Sequence, residues 1–133
     1  MEKLQIESTR NTPFIYFSWS GVFLISGRSL NDDCDIYYIP IIKYIKKYKE
    51  ESKRGVLFIF DFEYFNTISA HYIRNIIEEL VNISKLERKV KVYWYYDSID
   101  EVMGELGETF KEQYEKKSSN FHFTLISKCS DLN

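Results

Sequence analysis

The chain has 133 residues, of which 44% are hydrophobic and 29% are charged, values that fit one globular domain and exclude a disordered chain. Its 18 Lys and Arg nearly balance 20 Asp and Glu, and the net charge of −2 gives no long-range attraction to nucleic acid or to an anionic membrane. Aromatic residues make up 17% of the chain, which indicates a well-filled core and leaves rings available for a contact surface. A nucleic-acid partner is therefore not expected.

The spacing of the cysteines and the composition of the N-terminal segment indicate in which cellular compartment the protein is expected. Cys34 and Cys129 belong to no CxxC motif and have no histidine at ligand spacing, so we expect buried free thiols rather than a disulfide or a zinc site. Residues 1–10 mix charged and apolar side chains, unlike the apolar region of a signal peptide. No apolar run approaches the roughly 18–20 residues that span a bilayer. These features predict a cytoplasmic protein without membrane insertion.

The first third of the chain predicts a hairpin and a helix. Residues 14–18 and 22–26 are short β-rich runs on either side of Gly21, which suits the positive φ of a tight turn. Apolar residues at helical spacing over 34–51 predict the first helix. Pro40 falls within this pattern, so we expect the helix either to begin later or to kink there.

The central segment predicts a buried strand, the clearest helix of the chain and a second strand. Residues 55–62 are apolar at nearly every position, which predicts a central strand with both faces covered. An apolar stripe over 68–83 predicts the second helix. Residues 89–96 alternate with period two, which predicts a strand with one buried face.

The last third predicts a helix and a final strand. Asp97 and Ser98 supply capping chemistry for the third helix, and Gly104 and Gly107 predict either close packing or some mobility within it. Its expected apolar stripe is Ile99, Val102, Met103, Leu106, Phe110 and Tyr114. Residues 121–126 predict the last strand. The element order β-β-α-β-α-β-α-β predicts a single α/β domain over 1–133, with a mixed, largely parallel sheet of five strands and three main helices.

Metal, cofactor and nucleophile motifs are absent from the sequence. The two histidines, His71 and His122, form no HxxxH or HExxH pair, and no glycine-rich loop for a nucleotide is present. We therefore expect neither a metal nor a cofactor. A small enzyme that uses Asp61, His71 and Asp97 in a cleft at the carboxyl edge of the sheet remains an alternative.

The junction after the central strand is the strongest candidate for a functional site. It delivers Asn66, Thr67 and Ser69 to the start of the second helix, at the edge of an open sheet where ligands and modifications tend to lie. Capping of the helix by a threonine or serine hydroxyl accounts for these residue types without any function. The alternative is a phosphoacceptor at Thr67, because a phosphate there gains from the free amides and the positive end of the helix. Such a phosphate adds roughly −1.5 to −2 charges to a loop that holds Asp61 and Glu63.

Five motifs follow one another along the chain in a specific order. They are Asn11-Thr12-Pro13, Ser20-Gly21-Val22, Tyr37-Tyr38-Ile39-Pro40-Ile41-Ile42, Asp61-Phe62-Glu63-Tyr64-Phe65-Asn66-Thr67 and Val92-Tyr93-Trp94-Tyr95-Tyr96-Asp97. Together they resemble the bacterial SiaC-type regulatory phosphoproteins, over a core of about 12–126. The chain departs from the family pattern at Ile68 and Ala70, where small polar residues are expected.

The resemblance implies a non-enzymatic signalling switch with a fold similar to STAS domains and anti-sigma-factor antagonists. It implies that Thr67 is phosphorylated by a cognate kinase and dephosphorylated by a PP2C-type phosphatase. The unphosphorylated form is then expected to bind and activate a diguanylate cyclase in cyclic-di-GMP signalling that controls biofilm formation or aggregation. Asn66 and Ser69 are expected to shape the helix start, and the candidate contact residues are Tyr64, Phe65, Tyr95 and Tyr96. A partner switch acting on an anti-sigma kinase is a second alternative.

Overall fold

Six β-strands and three α-helices alternate along residues 2–30 and 34–129, the part of the chain that the computed structural model describes. The strands are β1 (Leu4–Ile6), β2 (Phe14–Phe17), β3 (Val22–Ser29), β4 (Val56–Phe65), β5 (Val90–Asp97) and β6 (Phe121–Lys128). The helices are α1 (Cys34–Glu51), α2 (Thr67–Ser84) and α3 (Glu101–Tyr114), and a 3-10 turn, Glu115–Lys117, follows α3. The predicted α/β class and its three helices are confirmed.

The strands form one mixed sheet in the order β1-β2-β3-β4-β5-β6. β1, β2 and β3 pair antiparallel, whereas β3, β4, β5 and β6 are parallel. Gly21 adopts a φ of 104° in the predicted hairpin. The expected count of five strands is wrong by one, because β1 has only three residues and is too short to show an alternating pattern.

The core lies between one face of the sheet and the three helices. Adjacent aromatic rings run across the strands with centroid separations of 4.5 to 6.1 Å, in the order Phe17, Phe23, Phe58, Phe60, Trp94 and Phe123. Tyr48 of α1 packs on Phe23, and Phe110 of α3 packs on Trp94. Much of the aromatic content therefore fills this layer.

The opposite face of the sheet carries no helix among the described residues. Leu57 and Ile59 of β4 are only half-buried, whereas Phe58 and Phe60 are fully buried. The prediction that both faces of the central strand are covered is therefore wrong. The cause is topological, because parallel strands that pair in sequence order through crossovers of one hand place every helix on the same side.

Helix α1 is continuous from Cys34 to Glu51 and contains Pro40. A later start at Pro40 is therefore excluded. Proline lacks the amide that would bond to the Ile36 carbonyl. The fully buried side chains of Ile41, Ile45 and Tyr48 hold the helix on the sheet despite that loss.

Gly104 and Gly107 allow α3 to pack closely on the sheet, which was one of the two predictions for them, the other being mobility. A Cβ on Gly107 would lie 2.5 Å from Cδ1 of the fully buried Trp94, and a Cβ on Gly104 would lie 2.9 Å from Cε2 of Tyr96. The indole N–H of Trp94 also donates to the Met103 carbonyl at 3.1 Å. Helix α3 is therefore seated directly on β5.

The start of α3 differs from the prediction. Its cap is Asp100, which accepts the Met103 amide at 3.1 Å, while Asp97 ends β5 and accepts the Ile99 amide at 3.1 Å. Ile99 and Val102 were expected in the buried stripe, but they are 76% and 69% exposed. The stripe fails here because the helix begins only at Glu101, after Ile99, and its first turn extends beyond the core.

The free edge of β6 is partly closed by side chains. Glu115 accepts the Phe123 amide at 2.8 Å, and Lys111 donates to the Phe123 carbonyl at 2.6 Å. Lys111 and Glu115 also pair with each other at 3.1 Å. Both backbone groups of Phe123 are therefore unavailable to a second strand, a common protection of sheet edges.

The structure tests two expectations from the sequence, that the cysteine thiols are buried and that no helix spans a membrane. The Cys129 thiol is exposed, so the expectation of a buried thiol is wrong for this residue, which follows the last strand. The side chain of Cys34 lies outside the described part of the structure. None of the helices in the described ranges combines the length and hydropathy of a membrane span.

Candidate functional site

The N-terminus of α2 is capped by Asn66. Its backbone is extended, with φ −86° and ψ 175°, and its side-chain oxygen accepts the Ser69 amide at 2.8 Å. The Asn66 amide donates to the Ser29 carbonyl at 3.1 Å, which ties the cap to the end of β3. The capping role considered for the threonine and serine hydroxyls therefore belongs to Asn66.

Thr67 is the first residue of α2 and its side chain is exposed. Within the described part of the chain, its hydroxyl makes no hydrogen bond. The amides of Thr67 and Ile68 belong to the first turn, where backbone N–H groups have no partner inside the helix. A phosphate on the Thr67 hydroxyl would lie next to these amides and the positive end of the helix dipole.

Ser69 lies on the opposite side of the same turn and is fully buried. Its hydroxyl donates to the Ser29 carbonyl at 3.0 Å and lies 2.7 Å from the Ser29 hydroxyl. The Ser29 hydroxyl in turn lies 2.7 Å from the Tyr38 hydroxyl. This buried chain of hydroxyls joins α2, β3 and α1 and fixes the backbone beneath Thr67.

The predicted aromatic contact residues occupy different environments. Tyr64 is 53% exposed and precedes Thr67 by three residues. Phe65 is 8% exposed and packs against Phe62, so it supports this edge from within the core. Tyr95 and Tyr96 are half-buried on the neighbouring strand β5, and Tyr96 rests against α3. Tyr64 is thus the ring among these four that is mostly exposed.

Large exposed apolar side chains concentrate at the edge where the parallel strands end. Among the described residues, six of the eight such side chains lie there, and we name them the carboxyl-edge surface: Ile36, Ile39, Tyr64, Ile68, Ile99 and Val102. The other two, Val22 and Leu86, lie at the opposite edge. Thr67 therefore lies at the edge that carries most of these exposed apolar side chains, and such clusters are typical of protein contact sites.

Sequence reasoning missed most of this surface. Ile36 and Ile39 fall outside the apolar stripe of α1, and that displacement is the signal that could have found them. Ile99 and Val102 were assigned to the core because they continue the period of α3. Ile68 was assigned to the apolar stripe of α2 and also noted as a departure from the family pattern, but it is 51% exposed.

Carboxylates lie beside the carboxyl-edge surface. Asp61 and Asp97 line one open cavity of about 670 Å³, where Asp61 pairs with Lys128 at 2.5 Å. His71 is exposed on α2 and is not among the residues that line this cavity. The three residues of the enzyme alternative are therefore not brought together there. Within the described ranges, no three His, Cys, Asp or Glu side chains are grouped to hold a metal ion.

The single sheet with its three helices defines a small α/β domain, and the exposed apolar side chains around Thr67 are typical of a protein contact site. The family model for the SiaC family regulatory phosphoprotein matches residues 6–126. The chain therefore belongs to the SiaC family, and the resemblance identified from its motifs is confirmed.

Two solved structures share the fold over nearly the whole chain. The chain is similar to apo-SiaC from Pseudomonas aeruginosa, with a TM-score of 0.83 and 25% identity over 94% of this chain and 98% of that one. It is also similar to a chain in the crystal structure of the diguanylate cyclase SiaD in complex with its activator SiaC, from the same organism. The TM-score is 0.85 and the identity 25%, over 94% of this chain and 99% of that one. The uncharacterized protein PA14_02130 of Pseudomonas aeruginosa (strain UCBPP-PA14) is 26% identical over 84% of this chain and 90% of its own.

Proposed function

We propose that the chain is a non-enzymatic switch whose unphosphorylated form binds and activates a diguanylate cyclase, and that phosphorylation of Thr67 ends this binding. The observation that carries the proposal is the position of Thr67, exposed at the N-terminus of α2 within the carboxyl-edge surface. Membership of a family of regulatory phosphoproteins supports the modification. The similarity to SiaC, the activator in the complex with SiaD, supports the kind of target.

The chemistry of the switch follows from what a phosphate does to this surface. At neutral pH it adds roughly −1.5 to −2 charges beside Tyr64 and Ile68, two exposed apolar side chains. A partner that covers these side chains must then desolvate the phosphate, which costs several kcal/mol unless cations compensate. The fold itself is unaffected, because Thr67 is exposed and a negative charge is favourable at a helix N-terminus.

The proposed partners are a cognate protein kinase, a PP2C-type phosphatase and the cyclase, all in the cytoplasm. Burial explains how the kinase would choose between two nearby hydroxyls, since Thr67 is exposed and Ser69 is fully buried. Asn66 and Ser69 hold the backbone of the acceptor in place. Tyr64, Tyr95 and Tyr96 are the proposed contact rings, with Phe65 supporting them from the core.

The proposal is tested by incubating the protein with ATP and the proposed cognate kinase, and by mapping the phosphate with mass spectrometry. We expect modification of wild type at Thr67 and none of the Thr67→Ala variant. Thr67→Ala should still bind the purified cyclase of the same organism, whereas Thr67→Asp should bind it more weakly. Modification elsewhere, or equal cyclase binding by both variants, would contradict the proposal. Binding to an anti-sigma kinase instead of the cyclase would favour the alternative partner switch.

A further inference from the structure

Two recesses meet on the α3 side of the carboxyl-edge surface. The first has a volume of about 290 Å³ and lies between the end of β4 and the first turns of α3. The second is the cavity of about 670 Å³ that contains Asp61 and Asp97. Asp100, the cap of α3, lines both recesses, so the two are adjacent.

The smaller recess is built to receive an apolar side chain. Phe65 and Met103 form its buried part, with exposures of 8% and 5%. Tyr64 and Val102 form its rim, with exposures of 53% and 69%. A pocket with a buried apolar floor and an exposed apolar rim is the usual seat of an anchor residue in a protein interface.

The larger recess is negatively charged. Its charged lining consists of Asp61, Glu63, Asp97, Asp100 and Lys128. Asp97 and Asp100 accept backbone amides at the start of α3, and Asp61 is paired with Lys128. Glu63 is exposed and forms no ion pair with a described residue. Four carboxylates against one ammonium leave an excess negative charge that only a cationic group complements.

We propose that the two recesses form one docking site for a segment of the partner protein, with a large apolar side chain in the smaller recess and a Lys or Arg in the larger one. The occupant follows from charge complementarity and from continuity with Tyr64, which belongs to both the recess and the surface around Thr67. The assignment rests on the proposed function, because it takes the cyclase to bind at this edge. To the proposed function the docking site adds two points: the bound segment lies on the α3 side of Thr67, and it carries an apolar and a basic side chain.

The test uses two variants with a matched control for each. Val102→Asp places a carboxylate on the rim of the apolar recess, in the first turn of α3 where an acidic residue is compatible with the helix. Its control is Leu86→Asp, at a similarly exposed apolar residue on the opposite edge. Glu63→Lys reverses a charge of the acidic recess, and its control is Glu50→Lys, at an exposed carboxylate near the end of α1.

The affinity of each purified variant for the cyclase of the same organism is measured by calorimetry, after circular dichroism has shown that it is folded. We expect Val102→Asp and Glu63→Lys to weaken binding about tenfold or more, as for residues at the centre of an interface, and the controls to change it less than about twofold. Wild-type affinity for both test variants would overturn the docking site and leave the proposed function standing. Failure of the wild-type protein to bind the cyclase would refute the proposed function first, and the docking site with it.

A photo-cross-linking amino acid at position 102 then identifies the segment that is bound. The expected cross-linked cyclase peptide carries a large apolar residue within a few positions of a Lys or Arg. A peptide without a basic residue would overturn the assignment of the larger recess. The same amino acid at position 86 is the control, and it should give no cross-link to the cyclase.

Discussion

Replacing Asn66 or Thr67 separates capping from modification at the start of α2. Asn66→Ala removes the hydrogen bond from the Ser69 amide to the Asn66 side chain, which measures 2.8 Å. Loss of such a cap lowers the free energy of unfolding by about 1 kcal/mol, within a range of about 0.5–2. Thr67→Ala removes an exposed hydroxyl that bonds to no described residue, so we expect a change within about 0.5 kcal/mol.

Thermal unfolding resolves this difference. With an unfolding entropy of about 2.1 cal/mol/K per residue, a loss of 1 kcal/mol corresponds to about 3–4 °C for a chain of 133 residues. Calorimetry should therefore show Asn66→Ala melting about 3–4 °C below wild type, and Thr67→Ala within about 2 °C of it. Urea titration supplies the same comparison at constant temperature. Equal destabilisation by the two variants would refute the division of roles, because Thr67 would then be a structural cap.

Further predictions concern α3 and the edge of β6. Gly107→Ala should lower the free energy of unfolding by about 1–3 kcal/mol in urea titration, since its Cβ would lie 2.5 Å from the fully buried Trp94 ring. Gly104→Ala should lower it less, because its Cβ would lie 2.9 Å from the ring of Tyr96, which is only half-buried. Partial burial raises the pKa of Glu115, but the Phe123 amide and Lys111 outweigh burial and hold this pKa below its usual value. Glu115 therefore stabilises the fold above the ordinary glutamate pKa and loses this effect as the pH falls through its lowered value. Urea titrations of Glu115→Gln should show a deficit at neutral pH that narrows in acid, and a deficit that grows in acid would contradict the assignment.

The order of helices and strands could be predicted because it rests on local patterns. The apolar run of β4, the stripe of α2 and the alternation of β5 each lie within one segment of the chain. What covers each face of the sheet is a property of topology, and the apolar run of β4 does not reveal it. Its half-buried residues Leu57 and Ile59 show that an apolar strand can have one uncovered face.

The position of Thr67 could be predicted from residue types, because a hydroxyl at a strand-to-helix junction follows from the order of elements. The supporting contacts could not, since Tyr38, Ser29 and Ser69 come from three elements and meet only in the folded chain. The same holds for the binding of Phe123 by Lys111 and Glu115. The exposure of Val102 was missed because periodicity alone does not show where a helix extends beyond the core.

The central claim is tested most directly by the rate at which the cyclase forms its product in the presence of this protein in two states. One sample is unmodified, and the other is phosphorylated stoichiometrically at Thr67, purified and verified by mass spectrometry. The account predicts that the unmodified protein stimulates the cyclase, that the phosphorylated protein does not, and that treatment with a PP2C-type phosphatase restores stimulation. Equal stimulation by the unmodified and phosphorylated proteins would contradict it.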